Sequence, residues 1–250
     1  MNTSSPDSNG FAHATALVVG VGGLGCPAAS TLVRAGVGRV VLVDDDLVDE
    51  TNLHRQILFG EDDVGRDKLD AARRALLKAN PAARIDLVRS RFLPDNACEL
   101  ARSADVVVEG ADNYATKFLV ADACRIEERP VIHGSAVRWR ATAWAVGSRG
   151  APCYRCLFED LPAGEAQPNC AEAGVMGPVV GIAGALMADL ALRVLAGDAS
   201  AFGTIHTFDG LADRLRAVGV QPRDACALCG PRRSIFDIDE ARYTGTSCAA

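Results

Sequence analysis

The sequence predicts an α/β fold, with a mostly parallel sheet covered by helices on both faces and an antiparallel extension toward the C-terminus. Short apolar runs alternate with segments of helical periodicity through the first half of the chain, which is typical of parallel strands joined by helices. The first apolar run ends in a glycine-rich turn, as in Rossmann-like folds. After Ser135 the alternation stops, which predicts the antiparallel part.

The elements of the parallel part follow one another in strict alternation. We expect strands at 16–21, 39–43, 84–90, 105–109 and 131–134, and helices at 24–35, 67–79, 95–101 and 114–128. The strands are nearly continuous apolar runs, which indicates that helices bury both of their faces. At 250 residues the chain is long enough for one domain with its own hydrophobic core.

The elements after Ser135 have a different pattern. We expect strands at 137–146, 204–209 and 214–220, without helices between neighbours and therefore antiparallel. The apolar stretch 174–197 contains Pro178, Asp189 and Arg193, which favours a buried core helix over a membrane span. Residues 159–172 are rich in proline, glycine and acid and are typical of an exposed loop.

Composition limits the class of protein. The net charge of −6 argues against nucleic acid as a partner. The N-terminus has no basic segment followed by an apolar one, so we expect no signal peptide, no membrane contact and a cytoplasmic protein. Nine cysteines, four of them in CxxC pairs, fit a reducing compartment. We expect a flexible N-terminus at 1–15, one domain at 16–236 and a C-terminal tail at 237–250.

A glycine-rich turn and an acidic residue predict a nucleotide site. The glycines of the turn are Gly20, Gly22, Gly23 and Gly25, and they let backbone amides approach a phosphate at a helix N-terminus. Asp44 ends the second strand, where a carboxylate can bind ribose hydroxyls. At this point NAD and ATP fit equally well.

Polar residues after the second and fourth strands favour a triphosphate. Arg55 offers a planar fork for phosphate oxygens and Lys68 a point charge. Asp112 follows the fourth strand, where a carboxylate beside phosphates can hold Mg²⁺. The complete set of candidate residues in these segments is Asp46, Asn52, Arg55, Lys68, Asp112 and Asn113. Arg55 and Lys68 also have a simpler interpretation as exposed cations, and Asp112-Asn113 as the N-cap of the helix that begins at Tyr114.

Two CxxC pairs predict a zinc site. They are Cys153 with Cys156 and Cys226 with Cys229. Two tight turns that each bring two thiolates onto one ion satisfy a tetrahedral structural zinc. Because such a site has no open position, we expect no catalytic role for it.

Several motifs together resemble one known family. The segments VVGVGGLGCPAA, VLVDDDLVDETNLHRQ, VGRDK, the ADN after VVVEG, the CxxC pairs and NCAEAGVMGPVVG are similar to those of the MoeB/ThiF/HesA family, over about 16–232. These are bacterial relatives of ubiquitin-activating enzymes. The resemblance implies an adenylyltransferase, in which the C-terminal Gly-Gly carboxylate of a ubiquitin-like sulfur-carrier protein attacks the α-phosphate of MgATP.

The resemblance also implies roles for individual residues. It assigns phosphate contacts to Gly23, Asn52, Arg55 and Lys68, the ribose to Asp44, and Mg²⁺ to Asp112. It implies a homodimer, a crossover loop at about 157–173, and in that loop a cysteine, Cys170, that in some relatives forms a persulfide or a bond to the carrier. We expect Cys170 to act, if it acts, after adenylation, and a separate sulfurtransferase to supply sulfur.

One departure from the family keeps alternatives open. Family members usually begin with an arginine-bearing segment resembling RYxRQ, whereas Met1–Thr15 has neither arginine nor lysine. The alternatives are adenylation of a ribosomal peptide in natural-product biosynthesis, an NAD-dependent oxidoreductase, and a non-catalytic scaffold of the same fold. The pathway served is also open.

Overall fold

The computed structural model describes residues 10–161 and 174–243, and in them an eight-stranded sheet has the order β3-β2-β1-β4-β5-β6-β7-β8. The strands are β1 Thr15–Val19, β2 Arg39–Asp44, β3 Arg84–Arg89, β4 Val106–Glu109, β5 Val131–Val137, β6 Arg140–Val146, β7 Thr204–Asp209 and β8 Arg214–Gly219. The α-helices are α1 Gly25–Arg34, α2 Lys68–Ala79, α3 Ala97–Arg102, α4 Tyr114–Ile126, α5 Tyr154–Leu157 and α6 Gly177–Leu195.

The strands from β3 to β5 are parallel, as predicted. In the centre, Leu17 of β1 lies between Val41 of β2 and Val107 of β4. Leu17, Val41 and Val107 are buried because helices cover both faces of this half of the sheet. The carboxyl ends of β1, β2 and β4 therefore meet at one edge, at which ligands bind in open α/β folds.

Helices cover both faces of the sheet. On one face, Leu32 of α1, Leu69 of α2 and Met187 of α6 belong to one apolar core cluster. On the other face, Ala97 of α3 and Phe118 of α4 belong to a second cluster. The predicted fold class is confirmed.

The hairpin between β5 and β6 differs from the prediction. The expected strand 137–146 is wrong at its start, because Val137 ends β5 and pairs with Arg140, the first residue of β6. The chain reverses at Arg138 and Trp139, and Arg138 has a positive φ of 53°. Two-residue hairpin turns of this kind usually contain glycine or asparagine. The arginine at position 138 therefore gives no signal of a turn in the sequence.

Helix α6 lies beside α1 on the same face of the sheet and packs mainly against β5 and β6. It lies between β6 and β7 along the chain, so the core helix expected at 174–197 is confirmed, while the expectation of no helix between these neighbouring strands is wrong; the strands pair antiparallel as expected. Gly184 allows close contact with α1, because a Cβ there would lie 2.3 Å from Pro27 Cγ. By length and composition α6 could cross a membrane, with a mean hydropathy of 1.7. Its buried residues include Val180 and Met187, and these pack as expected for a core helix.

The segment after the last strand returns to the face covered by α4. Ile235 and Tyr243 are buried there. The Tyr243 hydroxyl donates a hydrogen bond of 2.8 Å to Asp122 Oδ2 of α4. Residues up to Tyr243 are therefore anchored to the body of the protein.

Candidate active site

A cleft of about 930 Å³ opens at the carboxyl ends of the parallel strands. It is lined by residues that the sequence singles out: Gly20, Gly22, Gly23, Asp44, Asp46, Asn52, Arg55, Lys68, Asp112 and Asn113. Val180 of α6 also lines the cleft, next to Gly23. The predicted polar residues are thus brought together in one cleft from three separate segments of the chain.

Each glycine of the turn is favoured at its position for a different structural reason. Gly20 has a positive φ of 84°, a conformation that favours glycine. Gly23 lies against α6, since a Cβ there would be 2.7 Å from Val180 Cγ1. Gly25 does not line the cleft: a Cβ at this position would lie 1.9 Å from the carbonyl oxygen of Gly20. Gly25 therefore permits α1 to start directly against the turn.

Asp44 is held at the base of the cleft. Its Oδ2 accepts a hydrogen bond of 2.6 Å from the Val21 amide, and its Oδ1 accepts one of 2.9 Å from the Asp46 amide. Burial raises the pKa of Asp44 above its ordinary value, although the charge of Lys68 acts in the opposite direction. The carboxylate is fixed in orientation and retains lone pairs for a ligand hydroxyl.

The two cations predicted for the cleft, Lys68 and Arg55, are paired with residues of the loop that follows β2. Lys68 is 5% exposed, and its Nζ lies 2.7 Å from Oδ2 of Asp46, which is largely exposed. The Arg55 guanidinium donates to Oδ1 of Asn52 and, at 3.3 Å, to the carbonyl oxygen of Thr51. These contacts hold both cations in the cleft, where phosphate oxygens can compete with the present partners.

Asp112 and Asn113 have different roles. Asn113 Oδ1 accepts a hydrogen bond of 2.8 Å from the Thr116 amide, so Asn113 is the N-cap of α4. Within 10–161 and 174–243, no hydrogen bond or ion pair engages the carboxylate of Asp112, which lies exposed in the cleft. A free carboxylate in the same cleft as Arg55 and Lys68 is of the chemical type that could hold Mg²⁺, which prefers oxygen ligands.

The cleft also contains residues that the sequence motifs do not single out. Arg91, Phe92 and Leu93 follow β3 and form one part of the wall. Arg91 Nε lies 3.1 Å from Asp45 Oδ2. Gln56 is buried, and its Oε1 has no hydrogen-bond partner in the described part of the chain. Their position after strand β3 at the same sheet edge is the signal that could have identified Arg91, Phe92 and Leu93.

The four predicted zinc ligands form a compact cluster away from the cleft. The sulfur of Cys153 lies 3.9 Å from that of Cys156 and 3.4 Å from that of Cys226, and the sulfurs of Cys156 and Cys229 are 3.4 Å apart. A hydrogen bond to Cys229 and burial raise the pKa of Cys153, whereas the pKa of Cys229 falls to about 6. Four thiols this close fit one tetrahedral metal ion, whose charge would allow all of them to ionise.

The residues between Cys153 and Cys156 are buried in the protein. Arg155 is 1% exposed and forms two hydrogen bonds with Asp122, of 2.8 and 2.9 Å. Tyr154 packs against Phe118 with ring centroids 5.1 Å apart. The cysteine cluster thus connects the chain near α5 to the segment after β8 and to α4.

The predicted loop cysteine, Cys170, lies outside the described residues, as does most of the expected crossover loop. Of this expected loop, the structure describes residues 157–161. Gly174 and Val175, which directly follow the loop in the sequence, line the cleft.

The site and the fold can now be compared with known proteins. The profile of the ThiF family matches residues 4–228. The chain belongs to the ThiF family. This confirms the resemblance predicted from the sequence motifs.

Among similar sequences are proteins described as "Adenylyltransferase and sulfurtransferase MOCS3". The Bos taurus protein is 40% identical over 240 residues, which are 95% of this chain and 53% of that protein. The Aedes aegypti protein is 38% identical over 225 residues, which are 89% of this chain and 52% of that protein. The chain therefore spans about half the length of these relatives.

Similar folds occur in crystal structures of E. coli MccB. MccB with ATP has a TM-score of 0.76 at 22% identity, covering 89% of this chain and 68% of MccB. The "Microcin C7 biosynthetic enzyme MccB in complex with N-formylated MccA" has a TM-score of 0.77 at 24% identity, covering 89% of this chain and 69% of that one. At this identity the likeness establishes the shared fold.

Proposed function

We propose that the protein is an ATP-dependent adenylyltransferase that activates the C-terminal carboxylate of a ubiquitin-like sulfur-carrier protein. The observation that carries the proposal is the cleft, in which a glycine turn, Asp44, Arg55, Lys68 and the free carboxylate of Asp112 lie together. Sequence identity of 38–40% to adenylyltransferases over most of this chain supports the same activity. Thiocarboxylate formation would follow as a later step.

The proposed reaction is a transfer at phosphorus. A carboxylate oxygen of the carrier forms a bond to the α-phosphorus of ATP, the bond to the bridging oxygen breaks, and pyrophosphate leaves. Such a reaction needs positioning and charge neutralisation rather than a covalent intermediate with the protein.

The residues of the cleft divide these tasks. Asp44 would bind the ribose hydroxyls, and Asn52, Arg55 and Lys68 would contact phosphate oxygens. Asp112 would hold Mg²⁺, which supplies further neutralisation of phosphate charge. Arg55 can stabilise the negative charge that develops on the pyrophosphate leaving group, because its guanidinium presents several hydrogen-bond donors.

We further propose a cytoplasmic homodimer that holds one structural zinc per chain and receives sulfur from a separate sulfurtransferase. In the family, an arginine of the N-terminal segment reaches the nucleotide of the partner subunit. Because residues 1–15 of this chain contain no arginine or lysine, another cation of the partner subunit would have to take this place. Light scattering on the purified protein tests the dimer directly.

Pyrophosphate exchange into ATP tests the proposed function. The protein is incubated with MgATP, labelled pyrophosphate and small ubiquitin-fold proteins that end in Gly-Gly, with the same proteins lacking the last glycine as matched controls. We expect exchange only with the intact Gly-Gly terminus.

The same assay separates the alternatives. Exchange with a ribosomal peptide but not with carriers would favour the peptide alternative, for which the fold shared with MccB is the only support. Absence of exchange with any acceptor, in protein that binds MgATP, would favour a scaffold. Binding of NAD in place of ATP would favour an oxidoreductase.

Cys170 stays a prediction within this proposal. The Cys170 thiolate can displace AMP from the activated carbonyl and form a thioester. If Cys170 carries a persulfide, its outer sulfur can displace AMP to form an acyl disulfide, and a second thiol then releases the thiocarboxylate by forming a disulfide with Cys170. We therefore expect Cys170→Ser to retain pyrophosphate exchange and to lose thiocarboxylate formation, measured by mass spectrometry of the carrier. Loss of exchange in a folded variant would contradict the later role, and retention of both activities would make Cys170 a bystander.

A further inference from the structure

We infer that a buried cluster of Glu109, Lys117 and His133 positions the loop that carries Asp112 for metal binding. The inference rests on the proposed function, since it assigns Asp112 to Mg²⁺. These three residues lie outside the cleft lining and make no contact expected for a substrate. They would act through the backbone of the loop.

Glu109 ties the loop to the end of β4. Its side chain is completely buried. Its Oε1 accepts a hydrogen bond of 2.7 Å from the amide of Ala111, the residue directly before Asp112. The position of the Asp112 backbone thus depends on a carboxylate that lies beneath the loop.

Lys117 and His133 fix Glu109 in turn. Lys117 Nζ lies 3.0 Å from both carboxylate oxygens and donates a bond of 2.6 Å to the carbonyl oxygen of Gly134. His133 Nδ1 lies 3.1 Å from Glu109 Oε2. The cluster therefore joins β4, α4 and β5, the three elements around the loop.

The charges within the cluster balance. Burial works against ionisation of Glu109, but the charge of Lys117 and the hydrogen bond from His133 keep the pKa of Glu109 below its ordinary value. Burial lowers the pKa of His133, so its ring is neutral at neutral pH and Nδ1–H donates to the carboxylate. One anion and one cation remain, already paired before any ligand arrives.

A purely stabilising role does not explain this cluster well. A buried ion pair contributes little compared with apolar residues of the same volume. Here one carboxylate oxygen is directed at a loop amide, while Asn113 caps α4 at the other end of the loop. Asp112 lies between these two attachments and keeps its own carboxylate free. This is the arrangement expected of an outer shell that orients a metal ligand.

The test compares two double variants, neither of which leaves a buried charge unpaired within the cluster. Glu109→Leu with Lys117→Met removes the acceptor for the Ala111 amide. Glu109→Gln with Lys117→Met removes the same charges but retains an oxygen that can accept from that amide. Calorimetry measures the affinity for ATP with Mg²⁺ and with EDTA. The ratio of the affinity with Mg²⁺ to the affinity with EDTA reports the contribution of the metal.

In the Leu/Met variant we expect the ratio to fall by at least about tenfold, the lower end of the loss seen when the outer shell of a metal site is removed. ATP affinity in EDTA should be unchanged, and the Gln/Met variant should retain most of the ratio. Asp122→Asn is the control, because Asp122 of α4 is, like Glu109 at the end of β4, a fully buried carboxylate paired with a cation, here Arg155. It should lower Tm without changing the ratio.

An unchanged ratio in a folded Leu/Met variant would overturn the inference, as would an equal loss in Asp122→Asn. Amide hydrogen exchange in the unaltered protein gives a second test that needs no variant: the Ala111 amide should exchange more slowly than that of Asp112, and equal rates would overturn the inference. Failure of the unaltered protein to bind ATP would overturn the proposed function as well. Binding of MgATP without carrier-dependent exchange would reject only the proposed acceptor.

Discussion

The cleft and the cysteine cluster differ in how completely their polar groups are paired. In the cleft, Asp112 has no partner among the described residues, and Arg55 is held only by groups of its own loop. In the cysteine cluster the sulfurs contact one another, and the neighbouring Arg155 is fully engaged by Asp122 and the carbonyl oxygen of Glu159. At these two positions the carboxylate without a partner lies where a ligand is expected, and the fully paired guanidinium lies where distant segments of the chain meet.

This comparison separates activity from stability. Changes in the cleft should remove function and leave Tm nearly constant, because exposed groups there stabilise little. Changes at the cysteine cluster should lower Tm, because two distant segments of the chain lose their connection. The predictions below test this separation.

Asp112→Ala should have the largest effect. It removes the proposed anchor of Mg²⁺ and leaves no cavity in the core, so carrier-dependent pyrophosphate exchange should be abolished while the circular dichroism spectrum and Tm stay unchanged. Asp62→Ala, an exposed acid outside the cleft, serves as the control and should exchange normally. Exchange close to the unaltered rate in the Asp112 variant would reject the proposed site.

Arg55→Ala should lower the exchange rate by about 10²–10³, the scale of deleting one donor that stabilises a transition state. Its guanidinium lies at the surface of the cleft, so Tm should again change little. Arg91→Ala is a suitable control, because Arg91 also lines the cleft and is paired with an acid, Asp45. Equal losses in both variants would mean that the cleft needs positive charge in general rather than Arg55 in its place.

The cysteine cluster should show the opposite behaviour. We expect one zinc per chain in protein purified without chelator, measured by elemental mass spectrometry. A structural zinc can contribute on the order of 10 kcal/mol to the free energy of folding. Cys226→Ser should therefore lower both the zinc content and Tm. Cys26→Ser is the control, since Cys26 is buried elsewhere. Full zinc content in the Cys226 variant would contradict the four-thiolate site.

Asp44 should give the smallest effect, a pH dependence of ATP binding. Because burial raises its pKa, Asp44 takes up a proton at higher pH than an ordinary aspartate, and ATP affinity in EDTA should fall as pH drops through that range. The folded state binds this proton more tightly than the unfolded state, so acidification through this pKa adds stability. The expected loss of ATP affinity therefore cannot result from unfolding caused by protonation of Asp44. In Asp44→Asn, affinity should be lower and independent of pH over the same range.

Local sequence patterns predict most of the fold and much of the cleft. The apolar runs identify the parallel strands, and the carboxyl ends of β1, β2 and β4 bring the turn at Gly20, Asp44 and Asp112 to one edge, as expected. The hairpin after β5 could not be predicted, because Arg138 occupies a positive φ without a turn motif. Pairing with β6 decides where β5 ends.

The sequence by itself determined the fold class and predicted which polar residues line one cleft and that the two CxxC motifs meet, because periodicity marks the elements and motif residues mark the ends of the strands. The tertiary structure decided the rest. It gave Gly25 a packing role, left the Asp112 carboxylate free, and placed Glu109, Lys117 and His133 in contact beneath the loop. These three residues lie on β4, α4 and β5, and nothing in their spacing predicts contact. Only the pairing of β4 with β5 and the packing of α4 on the face of these two strands bring their side chains together.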